Sequence, residues 1–452
     1  MVKRLEKVPT QDAIAESIEQ NAAGRNEDLI GLVRIIDSIE GPYSLLLDAQ
    51  WGDGKTFFVK SLVEVLKVLN SNINNDQKIT SSLKSVTDEL KNVETPFLPF
   101  YFNAWENDFE EDPISALFAN MAIAFDEMGL TKERSLQKCI VSVVDTSLSA
   151  IHVLPRGVSK ISEAFAGESL IKAYGERVLL RERISELAEK SIREVANKLV
   201  IIIDELDRCR PDFAVRLLEQ TKSLFQSDNI IVIISTDSLQ LAHAIAGLYG
   251  PDIDSQHFIE RFFDSRLTLT PADACKVITG EPQHSTSHTY DLLRRELSNA
   301  HNLAIRDYAR LHEKLEAGRA YCDMNDDGTV ASSVAKCLFI PLLIFIQGKD
   351  IELFRAITGG SNYDALYEYG SKYSAFNNHL NRAVVFGKTG QRWNGKDEVS
   401  EEDRRQYVHD ICVWLFSPNR SSQEYNESFD RVGMPSGLDR SVFTTLRFPE
   451  GN

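Results

Sequence analysis

Residues 43–56, Tyr43-Ser44-Leu45-Leu46-Leu47-Asp48-Ala49-Gln50-Trp51-Gly52-Asp53-Gly54-Lys55-Thr56, decide the reading of this chain. The first six form a short apolar run preceded by Gly41-Pro42, as a buried parallel strand is. From Phe57 to Leu69 the apolar residues recur at helical spacing. The order is strand, glycine-rich loop, helix. A bound phosphate needs inward-pointing N–H groups, a curled loop, a cation and a hydroxyl for Mg²⁺. Gly52, Gly54, Lys55 and Thr56 supply these. The usual pattern has glycine where Ala49 stands, and alanine suffices only where φ is not positive. By itself the octapeptide is also compatible with a chance glycine-rich turn.

Downstream, Leu199-Val200-Ile201-Ile202-Ile203-Asp204-Glu205 is an apolar strand ending in two acids. That is a Walker B arrangement, in which Asp204 holds the Mg²⁺ shell and Glu205 polarises the attacking water. Two acids after a strand are equally the cap of a following helix. The lysine loop upstream favours the site. Asp207-Arg208 just beyond either fixes this loop through an ion pair or turns Arg208 toward a neighbouring subunit's γ-phosphate.

Working outward, residues 1–40 carry apolar positions at helical spacing, among them Ile14, Ile18, Leu29, Leu32, Ile35 and Ile36. Further strands are expected at Phe97–Phe102 and Ile230–Ile234, with helices between. The expected fold is α/β, a P-loop NTPase domain over 1–270 built on a parallel sheet with helices on both faces. Residues 132–197 are too many for one crossover and read as a long helical insertion. After Pro271 no strand-like runs remain, so a mainly helical domain is expected over 271–416 and an irregular tail over 417–452. The longest apolar run, Cys337–Ile346, is short for a bilayer and contains Pro341, so it reads as a buried helix with no membrane span. The stretch from Ile140 to Leu154 supports at most an amphipathic helix.

A chain of 452 residues has room for a catalytic domain and an appended module. Its net charge of −17 argues against a uniformly basic surface, so nucleic acid is not indicated by charge. Cys139, Cys209, Cys275, Cys322, Cys337 and Cys412 form no CxxC pair and read as reduced thiols. The amino-terminal residues show no apolar signal run, and a cytoplasmic location is expected. Asp323-Met324-Asn325-Asp326-Asp327-Gly328 begins like a Ca²⁺ loop, but Val334 stands where the bidentate Glu belongs. The histidines suggest no hydrolytic triad, and Trp393 and Trp414 read as core or interface residues.

Taken together the motifs resemble the KAP family of P-loop NTPases, within the class that holds the AAA+ and STAND ATPases. The likeness runs through Trp51-Gly52-Asp53-Gly54-Lys55-Thr56, Phe102-Asn103-Ala104-Trp105-Glu106 with Asp112-Pro113, and Ile203-Asp204-Glu205-Leu206-Asp207-Arg208-Cys209-Arg210-Pro211. It continues through Leu217-Leu218-Glu219 to Tyr249-Gly250, covering roughly residues 10–270. The resemblance implies an ATPase with ATP and Mg²⁺ as ligands. Gln50 through Phe57 would line the nucleotide, with Thr56 and Asp204 on the metal and Lys55 and Glu205 catalytic. It further suggests that the Asn103 amide holds Glu205 off water, unless Asn103 is a strand-end turn residue. Asp237 would lie near the γ-phosphate. Arg261 or Arg266 would act as an arginine finger, unless both are solvated surface groups. Many relatives carry membrane helices between the second and third motifs; here that interval is too polar. A homo-oligomer or a separate effector protein is the implied partner, and bacterial relatives of this kind occur in antiphage-defence settings.

Three functions fit these residues. An ATP-driven switch or motor subunit is favoured, because Glu205 points to hydrolysis. A slow or inactive ATP-binding scaffold that recruits an effector is the first rival. A P-loop kinase is the second, and the sequence offers no acceptor site for one.

Overall fold

The computed structural model describes residues 9–130, 192–269 and 288–446, less position 74 and short stretches at 302, 325–328, 394, 396–398 and 433–437, with isolated residues between. The chain divides into two compact units, Lys7–Ala272 and one comprising Asp273–Asn452. The expected insertion over 132–197 falls almost wholly outside the described residues, as do Cys139, Cys275 and most of the 323–328 acidic turn.

The first unit is built on five parallel strands, β1 (Tyr43–Asp48), β2 (Phe97–Asn103), β3 (Lys198–Asp204), β4 (Ile230–Thr236) and β5 (Ser265–Thr268). Their order across the sheet is β2-β3-β4-β1-β5. Successive side chains alternate between faces, and both faces are covered. Leu98, Phe100, Phe102, Leu199, Ile201, Ile203, Val232 and Ile234 enter one core, while Leu45, Leu47, Val200, Ile202, Ile231 and Ile233 enter the other. The second core is closed by α1 (Gln11–Glu19), α2 (Asn26–Ser38) and α3 (Lys55–Leu69). The first is closed by α4 (Pro113–Glu127), α5 (Pro211–Leu224) and α6 (Ser238–Tyr249). Several helices start on side-chain caps: Thr10 accepts from Ala13 N, Asp112 from Ser115 N and Asp237 from Gln240 N.

Two long-range contacts seat these helices. Lys198, at the first position of β3, donates from Nζ to the carbonyls of Ile36, Asp37 and Ile39 at 3.0, 2.5 and 2.8 Å. It thereby caps the carboxyl end of α2, where orphan carbonyls and the helix dipole both favour a cation. Gly41 donates its N–H to Asp228 O at 2.7 Å. A Cβ there would stand 2.5 Å from Ile230 O and 2.8 Å from Asp228 O, so the approach requires glycine.

β5 was not expected from sequence. Its four residues pair with β1 from Leu45↔Ser265 to Asp48↔Thr268. Too short for a visible apolar run, it extends the sheet only because β1 offers it a free edge.

The second unit is helical among its described residues, as expected after Pro271. Its core is crossed by a largely buried helix over Val330–Lys349 that, among the described residues, is the one helix long and apolar enough to span a membrane. The expectation from Cys337–Ile346 alone underestimated its length. A wide π-type turn over Ala335–Phe339 precedes Pro341, whose ring and missing N–H break the regular ladder there. Among the described residues beyond 417, where an irregular tail was expected, helices run over Gln423–Val432 and Ser441–Thr445. α7 (Gln423–Val432) is held by the buried Asp410 carboxylate, which takes Arg431 Nε at 2.8 Å, Arg431 Nη2 at 2.6 Å and Ser428 Oγ at 3.0 Å. Trp414 is buried, as expected of a core residue, under the guanidinium of Arg440.

Candidate functional site

β4 lies between β1 and β3, so the loop after β1 and the acids after β3 flank the end of β4. Gly52 and Gly54 have φ of 91° and 81°, the left-handed values that only glycine adopts without strain, and Gly54 is the N-cap of α3. Ala49 is not among the positive-φ residues, which explains how alanine replaces the usual first glycine. The loop therefore delivers the amino terminus of α3, with its unpaired N–H groups, to the sheet edge. Lys55 is buried there and donates from Nζ to Ala49 O at 2.6 Å and Gln50 O at 3.2 Å. Trp51 is half exposed.

Asp204 is fully buried at the end of β3. Its Oδ2 accepts from Tyr101 Oη at 3.1 Å. Burial pushes the Asp204 carboxyl up, opposed by the Ser235, Thr56 and Tyr101 hydroxyls. None of these closes a hydrogen bond on Oδ1, which is buried without a partner, as is the Ser235 hydroxyl paired with Asp204 across the strands. An orphaned carboxylate oxygen beside hydroxyls is the hard, oxygen-rich donor set that Mg²⁺ takes. Among the described residues no group of three or more His, Cys, Asp or Glu side chains could hold a metal. Mg²⁺ does not need one, since it keeps waters and substrate oxygens in its shell.

Glu205 has φ 61° and ψ 30°, a left-handed conformation costing a side-chain-bearing residue about 1 kcal/mol. That turn swings the carboxylate back toward the phosphate loop. Oε1 accepts from Thr56 Oγ1 at 3.2 Å, and Oε2 pairs with Arg208 Nη1 at 3.0 Å. Burial raises the Glu205 carboxyl, and Arg208 opposes the rise.

The other expected residues fall as follows. Asn103 ends β2 with its Oδ1 accepting from the backbone N–H of Trp105 and Glu106 at 3.1 and 3.3 Å, which is the strand-end turn arrangement. Its amide does not bond Glu205, whose ion-pair partner is Arg208. Asp237 accepts from Trp51 N at 3.2 Å and caps α6, so its carboxylate supports the loop from below. Arg266 donates to Asp48 Oδ2 at 2.5 Å and to Ser238 Oγ at 3.1 Å, tying β5, β1 and α6 together. Arg261 is exposed and precedes β5, where Asp264 N bonds Ser44 O at 2.8 Å. Asp264 thus meets the amino end of β1, whereas the phosphate loop follows its carboxyl end, and among the described residues no contact joins Arg261 to the loop. Phe57, in the first turn of α3, packs partly buried against the second core.

Sequence reasoning missed Tyr101, Arg25 and the bond that Asp207 accepts from the Thr236 hydroxyl at 2.9 Å. Arg25 is buried and donates from Nη1 to Asp53 O at 2.7 Å, while burial lowers its basicity against the pull of Asp53 and Asp28. Only the three-dimensional contact marks it.

A parallel sheet with this order, a lysine-bearing loop capping α3 and two acids beyond the intervening strand define a nucleotide-binding P-loop NTPase. The family model described as "KAP family P-loop domain" matches residues 31–279, more than half the chain, and the chain belongs to that family. No curated protein matches it. Among solved structures the chain is similar to the ORC1 protein of Aeropyrum pernix in complex with DNA, at 12% identity and a TM-score of 0.27. That likeness covers 98% of this chain and 82% of the other, too faint to carry an argument.

Proposed function

We propose that this chain binds ATP with Mg²⁺ and hydrolyses it, acting as a switch or motor subunit in a homo-oligomer or with a separate effector protein. The observation that carries the reading is the placement of Glu205, whose left-handed turn sets its carboxylate 3.2 Å from the Thr56 hydroxyl and beside buried Asp204. Lys55 and the first amides of α3 would bind the phosphates, and Thr56 and Asp204 would hold Mg²⁺, which would supply charge compensation to the phosphates. Glu205 orients the attacking water and accepts its proton; its burial-raised basicity suits that task.

An inert scaffold would have no use for a strained glutamate at this position, and the sequence offers no acceptor site for a kinase. The family's antiphage-defence settings make a defence complex the context to examine. The test is ATP turnover with and without nucleic acid, alongside native mass. Turnover that vanishes in Glu205→Gln while ATP still binds supports hydrolysis at this site; equal turnover in that variant removes Glu205 from the role.

A further inference from the structure

Glu205 is held from two sides, and one hold reaches the surface. Arg208, which pairs with Glu205 Oε2 at 3.0 Å, also lies over the ring of Trp105, with 5.4 Å from guanidinium carbon to ring centre. Trp105 is 50% exposed, yet its backbone is fixed. Asn103 Oδ1 takes the N–H of Trp105 and Glu106, and Ala104 N donates to Asp204 O at 3.0 Å. The short turn Trp105–Asn107 is therefore a rigid ledge bonded to the end of the strand that carries the acids. A guanidinium suits this bridging place, since its plane stacks on an indole while its N–H fork pairs a carboxylate.

We propose that Trp105 and Arg208 are positioning residues that restrain Glu205, the stacked guanidinium holding the carboxylate in an ion pair that opens before Glu205 receives the proton of the attacking water. The inference rests on the hydrolytic reading above. A carboxylate whose Oε2 is ion-paired with Arg208 and whose Oε1 accepts from the Thr56 hydroxyl is not available as a base. The exposed face of Trp105 places control of that restraint where a partner surface could act on it.

The experiment compares steady-state ATP turnover of the full chain with Trp105→Leu, Arg208→Ala, Arg208→Lys and the double variant Trp105→Leu/Arg208→Ala. Binding of a fluorescent ATP analogue and the Glu205→Gln control are measured in parallel. Arg208→Ala should raise kcat about 3- to 10-fold, the scale of a partly exposed ion pair plus a stacking contact, with KM within about twofold. Trp105→Leu and Arg208→Lys should give intermediate gains, lysine keeping the charge and losing the stack. The double variant should match Arg208→Ala alone, because both act through one contact. A fall in kcat in Arg208→Ala, additive effects in the double variant, or unchanged kcat in every variant overturns the restraint. Trp105→Leu is a surface change that leaves the fold intact, so a misfolded Arg208 variant does not decide the matter. Wild-type turnover abolished by Glu205→Gln but indifferent to Trp105 and Arg208 rejects this inference alone. Bound ATP with no turnover in any form rejects the hydrolytic reading as well.

Discussion

The indole N–H of Trp51 donates to Asp207 Oδ2, joining the phosphate loop to the turn beyond Glu205 across 156 positions of sequence. Asp207 Oδ1 simultaneously accepts from the buried Thr236 hydroxyl at 2.9 Å. One carboxylate thus ties the loop, the turn after β3 and the end of β4.

Removing that tie should loosen the loop without deleting any phosphate ligand. Asp207→Ala strands the Thr236 hydroxyl and frees Trp51, each costing on the order of 1 kcal/mol. ATP affinity should fall about tenfold, read by titration with a fluorescent analogue. Unaltered affinity would show that the loop holds its shape without Asp207.

Lys55→Ala should abolish nucleotide binding, since Lys55 is the buried cation of the loop. Glu205→Gln should keep binding and slow hydrolysis on the order of 10² or more. Calorimetric titration and phosphate release separate the two effects, and a Lys55→Ala chain that binds ATP normally speaks against the loop assignment.

An arginine acting in trans makes activity depend on assembly. Arg266 is engaged with Asp48 in its own chain, which leaves Arg261 as the group to test. Hydrolysis per chain should rise with protein concentration, and mixing Lys55→Ala with Arg261→Ala chains should restore part of the activity. A dilution-independent rate and a dead mixture favour a monomeric switch.

Gly41→Ala should destabilise the first unit by about 1–3 kcal/mol, because the added methyl meets backbone oxygens that cannot swing away. A denaturant midpoint equal to that of the wild type would contradict the close approach.

His379 gives the second unit an acid sensitivity. Partly buried, with Thr289 Oγ1 at 3.1 Å and Ser333 Oγ at 3.3 Å and with Arg382 and His288 nearby, its imidazole is pushed down to about 4, chiefly by desolvation. The unfolded chain takes up a proton below about pH 6.5 that the folded chain refuses until about pH 4. The contribution, roughly 3 kcal/mol, is fully present above pH 6.5 and is lost as pH falls toward 4. His379→Gln should flatten the pH dependence of stability in that window, measured by thermal melts from pH 7 to 4.

Much of the first unit was legible because strong local patterns coincide with it. The apolar runs of β1 to β4 and the glycine-lysine loop carry their meaning within ten residues. β5 was not legible, since Ser265-Arg266-Leu267-Thr268 becomes a strand only beside β1. In the same way, α7 depends on Asp410 rather than on its own polar sequence. Of the candidate site, the positions of Asp204, Glu205, Lys55 and Thr56 could be proposed from spacing. The partner of Glu205 could not: the Asn103 amide was the candidate by family logic, whereas Arg208 makes the ion pair and Asn103 Oδ1 holds its own turn.

The Lys198 cap gives β3 a mechanical meaning. The strand is seven residues long, about 20 Å at the usual rise, with the carboxyl end of α2 hung on its first residue and Asp204 at its last. Strands on either side clamp it along its length. The carboxyl end of α2 and the two acids thus sit at opposite ends of one strand clamped on both sides, so a push on α2 has a route to the candidate site that bypasses every loop.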